Sequence, residues 1–224
     1  MRLPFAEYGS KELSFFGMFL FVILILSLFF YPWVSILVVL CLFFILYFFR
    51  DPNRFPPEGE EKLLAPADGK VIEISHEQEE NFLTCKAIKI GIFMSLFSVH
   101  VNRVSCGGKV EFVKHVAGRF FDARSPKSSS RNEHNMIGIL TNDGQTKIMI
   151  KQIAGKIARR IVCACTVGDN VKRGQRFGMI KFGSRLEVFI PETADFKLAV
   201  KEGEKVYAGT TVLGVLNKRV ESRE

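Results

Sequence analysis

The sequence predicts a mainly β protein: a compact sandwich- or barrel-like soluble domain with carrier-protein-like hairpins, preceded by an N-terminal apolar helical hairpin. Three observations predict it. From Leu13 to Phe49 a run of 37 positions holds no charged residue. Beyond residue 50 the chain reads as short apolar or alternating segments punctuated by Gly, Pro, Asn and Asp, with no long amphipathic helix. A turn pattern, Gly-acidic-x-Val-x-x-Gly, occurs twice, with Gly168, Val171 and Gly174 matching Gly203, Val206 and Gly209.

The apolar run comes first. As one helix it would measure about 55 Å at 1.5 Å per residue, against a hydrocarbon core of roughly 30 Å. Pro32 stands near its midpoint, in Phe30-Tyr-Pro-Trp33, and breaks it into two short helices. Each half is close to the lower limit for spanning, so a transmembrane hairpin and a re-entrant one both stay open. A cleaved signal peptide is not expected, because the run is too long, lacks a small-residue cleavage site and follows Glu7 and Glu12. A hairpin leaves both ends on one side. Arg2 and Lys11 before it, with Arg50 and Arg54 after it, put that side on the cytoplasmic face of the cell membrane. The expected domains are therefore an anchor, residues 1–50, and a β-rich domain, residues 51–224.

Asp51-Pro-Asn-Arg-Phe-Pro-Pro57 leaves the anchor as a segment that cannot continue a helix. Val71–Ile74, Ala87–Ile92, Met136–Leu140 and Lys147–Ile150 then read as strands, with Asn142-Asp-Gly144 as the hairpin turn between the last two. An apolar strand follows each of the two echoed turns, Phe177–Ile180 and Val212–Leu216. Two copies are too few for a solenoid and suggest quasi-symmetric halves of one β domain.

The net charge is +8, and clusters such as Lys156-Ile-Ala-Arg-Arg160 are strongly basic. Beside an apolar anchor such a surface fits anionic lipid better than nucleic acid. Five cysteines, an odd number without a CxxC pair, argue against a disulfide framework or a structural zinc site, and no metal is expected.

Chemistry-bearing residues are few. His76 lies in a polar turn-like run and reads as surface; His115 reads as structural. His100 closes an apolar run and opens His-Val-Asn-Arg103, where imidazole, amide and guanidinium within four residues offer a base and donors for an anion. His134 sits in the polar cluster Arg131-Asn-Glu-His-Asn135. Asp68, in Ala65-Pro-Ala-Asp-Gly-Lys70, and the Gly183-Ser184 pair, ahead of an alternating strand, are both in ordinary turn sequences. Carboxylate, imidazole and hydroxyl are also the three groups that activate a weak alcohol nucleophile. Spacing alone does not bring Asp68, His100 and Ser184 together.

The ordered set FFRDPNR (48–54), PADGKV (66–71), FMSLFSVHVNR (93–103), KHVAGRFFDA (114–123), NEHN (132–135) and FGSRLEVFIP (182–191) resembles phosphatidylserine decarboxylase. The similarity is to the short, membrane-anchored form found in bacteria and archaea, and it runs from about residue 48 to the end. The resemblance implies a pyruvoyl enzyme that cuts itself between Gly183 and Ser184. Ser184 attacks the Gly183 carbonyl, the peptide becomes an ester, elimination frees Gly183 and leaves dehydroalanine at 184, and water replaces its nitrogen, released as ammonia, to give a pyruvoyl group. The products are chains 1–183 and 184–224, held together as partners. Asp68 and His100 are the implied activating pair.

The resemblance further implies a Schiff base between the pyruvoyl ketone and a membrane phospholipid, loss of CO₂, and release of phosphatidylethanolamine, with His100 as proton donor and no external cofactor. Arg103 stands where long members carry a second His, and NEHN where short ones read NERN. Arg103, Asn102 and His134 are accordingly the candidate substrate-binding residues. Two other readings stand beside this one: a decarboxylase of another serine phospholipid such as archaetidylserine, and a non-catalytic β-sandwich adaptor on a membrane hairpin. A homo-oligomer is compatible with either.

Overall fold

The computed structural model describes residues 4–156, 160–181 and 183–217. Arg2, the middle of the Lys156–Arg160 cluster and Phe182 lie outside the described residues. The chain divides into two compact units, residues 1–53 with 97–99, and residues 54–96 with 100–224.

In the first unit, a single 3-10 turn leads into α1 (Ser10–Phe30), and α2 (Pro32–Phe48) follows at once. Pro32 takes the first position of α2, where its missing N–H has no helical partner to lose. The Ser27 and Ser35 hydroxyls meet at 2.8 Å across the break, so the tip is closed by the hairpin's own polar groups. At the open end Phe5 and Arg50 form an antiparallel bridge. There the Ala6 N–H donates to the Phe49 carbonyl at 2.8 Å, and the Asp51 N–H to the Pro4 carbonyl at 2.7 Å. Entry and exit are thus tied side by side, as a hairpin requires. Both helices are apolar on every face, the pattern of a helix surrounded by lipid rather than one lying on a core. The helical stretch Glu7–Phe30 is long and apolar enough to cross a membrane; α2, with 17 residues, is shorter. Phe97 also belongs to this unit, its carbonyl accepting from Arg50 Nη2 at 2.7 Å.

The second unit is built of strands: β1 (Lys62–Leu64), β2 (Gly69–Glu79), β3 (Cys85–Met94), β4 (Val101–Arg103) and β5 (Gly108–Val116). After the short helix α3 (Pro126–Arg131) come β6 (His134–Thr141), β7 (Lys147–Ile153), β8 (Ile161–Cys163), β9 (Asn170–Val171) and β10 (Arg176–Ile180). The series ends with β11 (Ser184–Pro191), β12 (Phe196–Leu198), β13 (Lys205–Val206) and β14 (Val212–Leu216). The mainly β expectation holds, and the four strand segments read from alternation fall within β2, β3, β6 and β7. Gly144 closes the β6–β7 hairpin with φ +69°, the left-handed conformation that an Asp-Gly turn supplies.

Eight strands form one antiparallel sheet in the order β13-β2-β3-β11-β7-β6-β5-β9. Two three-stranded sheets, β1-β14-β12 and β4-β10-β8, share its core. Val71, Ile90, Ile92, Ile137, Ile150, Leu186, Val188 and Ile190 from the large sheet pack with Leu63, Leu213, Phe177 and Ile180 from the small ones.

The echoed turns have a structural meaning. Gly168, Gly174, Gly203 and Gly209 all have positive φ, at 100°, 76°, 87° and 72°, so the repeat is one of backbone conformation. One turn carries β9 and the other β13, the opposite edges of the eight-stranded sheet. A Cβ on Gly209 would lie 3.7 Å from the Gly174 Cα. The sheet therefore curls until its edge turns meet.

Candidate active site

Three strand termini line up at one end of the large sheet. β2 begins at Gly69, β3 ends at Met94 and β11 begins at Ser184, with Lys70 paired to Phe93 and Met94 to Ser184. Asp68, one residue before β2, and Ser184 thus flank the end of β3. With neighbouring strands roughly 4.8 Å apart, their backbones stand about 10 Å from each other. His100 follows Met94 by six residues and enters β4, whose Arg103 N–H donates to the Pro66 carbonyl at 2.9 Å. That bond lays residues 100–103 beside the 66–68 turn. His100 and Ser184 are fully buried and Asp68 nearly so.

The Asp68 carboxylate is held at both oxygens. Oδ1 accepts the Ala208 N–H at 2.7 Å, and Oδ2 accepts Arg54 Nη2 at 2.9 Å. A carboxylate fixed in this way is suited to orienting a neighbouring base.

Ser184 Oγ donates to Met94 Sδ at 3.3 Å. The same sulfur faces Asn102 Nδ2 at 3.8 Å, and Asn102 Oδ1 accepts from Gln152 Nε2 at 2.9 Å. Gln152 Oε1 in turn faces Asn135 Nδ2 at 3.3 Å. A buried line of amides therefore ends on a thioether beside the serine, and every member is uncharged. Sulfur is a weak acceptor, so the hydroxyl proton is held lightly.

Gly183 precedes Ser184 with φ +67°, and a Cβ there would meet nothing within 4 Å. Its carbonyl oxygen lies against the Cα of Gly155, in the segment after β7, so closely that a Cβ at 155 would overlap it.

The other sequence-derived candidates are placed differently. Arg103 is buried where the two edge turns meet: its Nη1 donates to the Gly174 carbonyl at 3.0 Å, and its Cδ fills the space a Gly209 side chain would take. His134 begins β6, where it pairs with Ile153, which pairs with Arg185. Cross-strand partners share a face, so His134 points to the face opposite Ser184. Its Nδ1 lies 2.7 Å from the Asn132 carbonyl, the geometry of an Nδ1–H donor, and burial lowers its pKa.

Beneath the serine the outer face of β11 is charged. Arg185, 1 % exposed, pairs with Glu73 and lies 2.8 Å, through Nε, from Oε1 of the fully buried Glu187. Lys89 reaches Glu73 and Glu77 at 2.7 Å each. Ser129 of α3 covers the cluster, its Oγ donating to Glu187 Oε2 at 2.9 Å. Burial raises the Glu73 pKa, but Lys89 and Arg185 outweigh it and hold the carboxyl at about 2.

Sequence reasoning singled out Ser184, Gly183, Asp68, His100 and Asn102, which the fold gathers at or beside this sheet end. It missed Met94, Gln152 and Gly155. Only the strand register gives Met94 away, since a Met in an apolar run reads as core.

A family profile described as Phosphatidylserine decarboxylase matches residues 42–214. Among curated proteins, a "Phosphatidylserine decarboxylase proenzyme" of Syntrophus aciditrophicus is 50% identical over 182 residues, covering 81% of this chain and 84% of the relative. Relatives of the same name from Syntrophotalea carbinolica and Geotalea uraniireducens are 40% and 39% identical. They cover 96% and 95% of this chain, and 100% and 97% of their own lengths.

Proposed function

Because the chain belongs to the phosphatidylserine decarboxylase family, we propose that it converts phosphatidylserine to phosphatidylethanolamine and CO₂ after cutting itself between Gly183 and Ser184. The observation that carries this reading is the placement of a fully buried serine, behind a left-handed glycine, at the sheet end that also holds Asp68 and the entry to β4.

In this proposal His100 takes the Ser184 hydroxyl proton, and Asp68, itself fixed by Arg54 and the Ala208 amide, orients the imidazole. The lightly held hydroxyl attacks the Gly183 carbonyl; the C–N bond breaks and an ester remains. Residue 184 is then the origin of the pyruvoyl group, whose ketone supplies an electron sink for decarboxylation. The site fits that group, since residue 184 begins a strand locked between β3 and β7 and stays in place when the bond before it is lost. His100 serves as the proton donor at the buried carbon. Asn102 is the headgroup-facing candidate, with Arg103 and His134 supporting the surrounding backbone. The apolar hairpin anchors the enzyme in the cell membrane with the β domain on the cytoplasmic side, where the lipid headgroup is presented.

The test is intact mass and a lipid assay on the full chain in nanodiscs. Two chains split after Gly183 are expected, the smaller with a blocked N-terminus, together with CO₂ release from phosphatidylserine and none from free serine. Ser184→Ala is expected to stay whole and inactive. An uncut wild type that turns over lipid overturns the proposal. Preference for an archaeal ether lipid would move it to archaetidylserine.

A further inference from the structure

We propose that Gly155 is a positioning residue for self-cleavage: its bare Cα seats the Gly183 carbonyl oxygen and thereby fixes the plane of the bond that breaks. The inference rests on the cleavage reading above.

Gly183 is the loose side of that bond. Its φ is +67° and its side-chain direction is open, so nothing at residue 183 itself limits rotation. Ser184 is the fixed side, paired to Met94 in the sheet and donating to the Met94 sulfur. What arrests the peptide between them is the contact of its oxygen with Gly155. A Cβ at 155 would overlap that oxygen and lie 3.1 Å from the carbonyl carbon. With hydrogen only, the contact is of the Cα–H···O kind.

The seat cannot withdraw. The Ala154 N–H donates to the Glu133 carbonyl at 2.9 Å, and the Ala154 carbonyl accepts from Asn132 Nδ2 at 2.8 Å. Asn132 is fully buried and bonds both main-chain groups of Phe121, at 2.8 and 2.9 Å. On the other side the Ala123 methyl would stand 3.4 Å from an added Cβ. A methyl at 155 is therefore closed in, and the scissile carbonyl must turn instead.

That turn matters because Ser184 Oγ attacks the carbonyl just before it. The Oγ–C bond forms only if the carbonyl face is turned to the hydroxyl. The proton leaves Oγ, the C–N bond breaks, and the nitrogen of residue 184 gains a proton as the ester appears. In the tetrahedral state the negative charge sits on the very oxygen that Gly155 holds.

The test is Gly155→Ala in the full chain, made by cell-free synthesis into nanodiscs and followed by gel and intact mass. Cleavage is expected to slow about 100-fold, the loss typical of a misplaced reacting group. Hydroxylamine, which cuts esters and spares amides, is expected to leave the stalled chain intact, and its melting should match that of uncut Ser184→Ala. Cleavage at the wild-type rate overturns the proposal. So does a stalled chain that hydroxylamine cuts at 183–184, since the ester would then form without the seat.

Gly183→Ala carries the test if Gly155→Ala does not fold. Its methyl meets open space and bears only the left-handed backbone penalty, so cleavage is expected to finish, slowed roughly tenfold; a complete block overturns the proposal. A wild type that never cuts instead refutes self-cleavage itself.

Discussion

The two faces of β11 are built from opposite materials. On the inner face Ser184, Leu186, Val188 and Ile190 contribute no charge, and the serine's recorded partner is a thioether. On the outer face Arg185 and Glu187, one residue out of phase, are just as buried and are tied to Glu73 and Ser129. The difference separates two tasks. Charges on one side pair across the strands and hold β11 in position, while the hydroxyl that the proposed function makes the nucleophile stands among neutral groups on the other.

That contrast can be broken from either side. The largest effect is expected from Arg185→Met in an uncut Ser184→Ala background. Removing one partner from a buried ion pair should cost about 3–5 kcal/mol, read by urea unfolding. A neutral result would mean that the outer face does not hold the strand. Next comes Asp68→Asn, which keeps the size but loses the charge and one of the two acceptor oxygens. It should slow cleavage about 100-fold or more, with a smaller loss of stability than Arg185→Met because the Arg54 partner is partly exposed.

A smaller, pH-dependent effect belongs to Glu73. Its carboxyl protonates at about 2 in the folded chain against an ordinary 4.5. The folded pKa is depressed, so the stabilisation is complete above about pH 4.5 and is lost as pH falls through about 2. The stability gap between the parent and Glu73→Gln should therefore shrink across that window in thermal melts. The smallest effect is expected from Met94→Leu, which preserves volume and removes the sulfur acceptor. Freed from that bond, the Ser184 hydroxyl should react about twofold faster in a cleavage time course.

Much of the fold was legible because its signals are local. Pro32 broke the apolar run, β-branched alternation marked β2, β3, β6 and β7, and paired glycines marked the edge turns. The reactive pair Gly183-Ser184 was legible through resemblance, since as plain sequence it is an ordinary turn. The rest depends on contacts between distant residues. Arg185 and Glu187 alternate with apolar residues along β11, yet they are buried and Ser129 of α3 bonds Glu187. Arg103 read as an anion donor beside His100, but the meeting of turns 70 and more residues away puts its guanidinium on a backbone carbonyl. Gly155 carries no signal at all in Ile153-Ala-Gly155. Its importance arises only when the strand register brings residue 183 against it.

The route of the last strands through the second unit decides what a cut before residue 184 would produce. β11 is hydrogen-bonded between β3 and β7, β13 edges β2, and β14 pairs with β1. If the proposed nick before residue 184 occurs, the two polypeptides stay joined within the second unit through these three strands and their four pairings. Gel filtration or dilution will not part them; only denaturation will, because the shorter piece is woven through the middle of the fabric rather than hung from its hem.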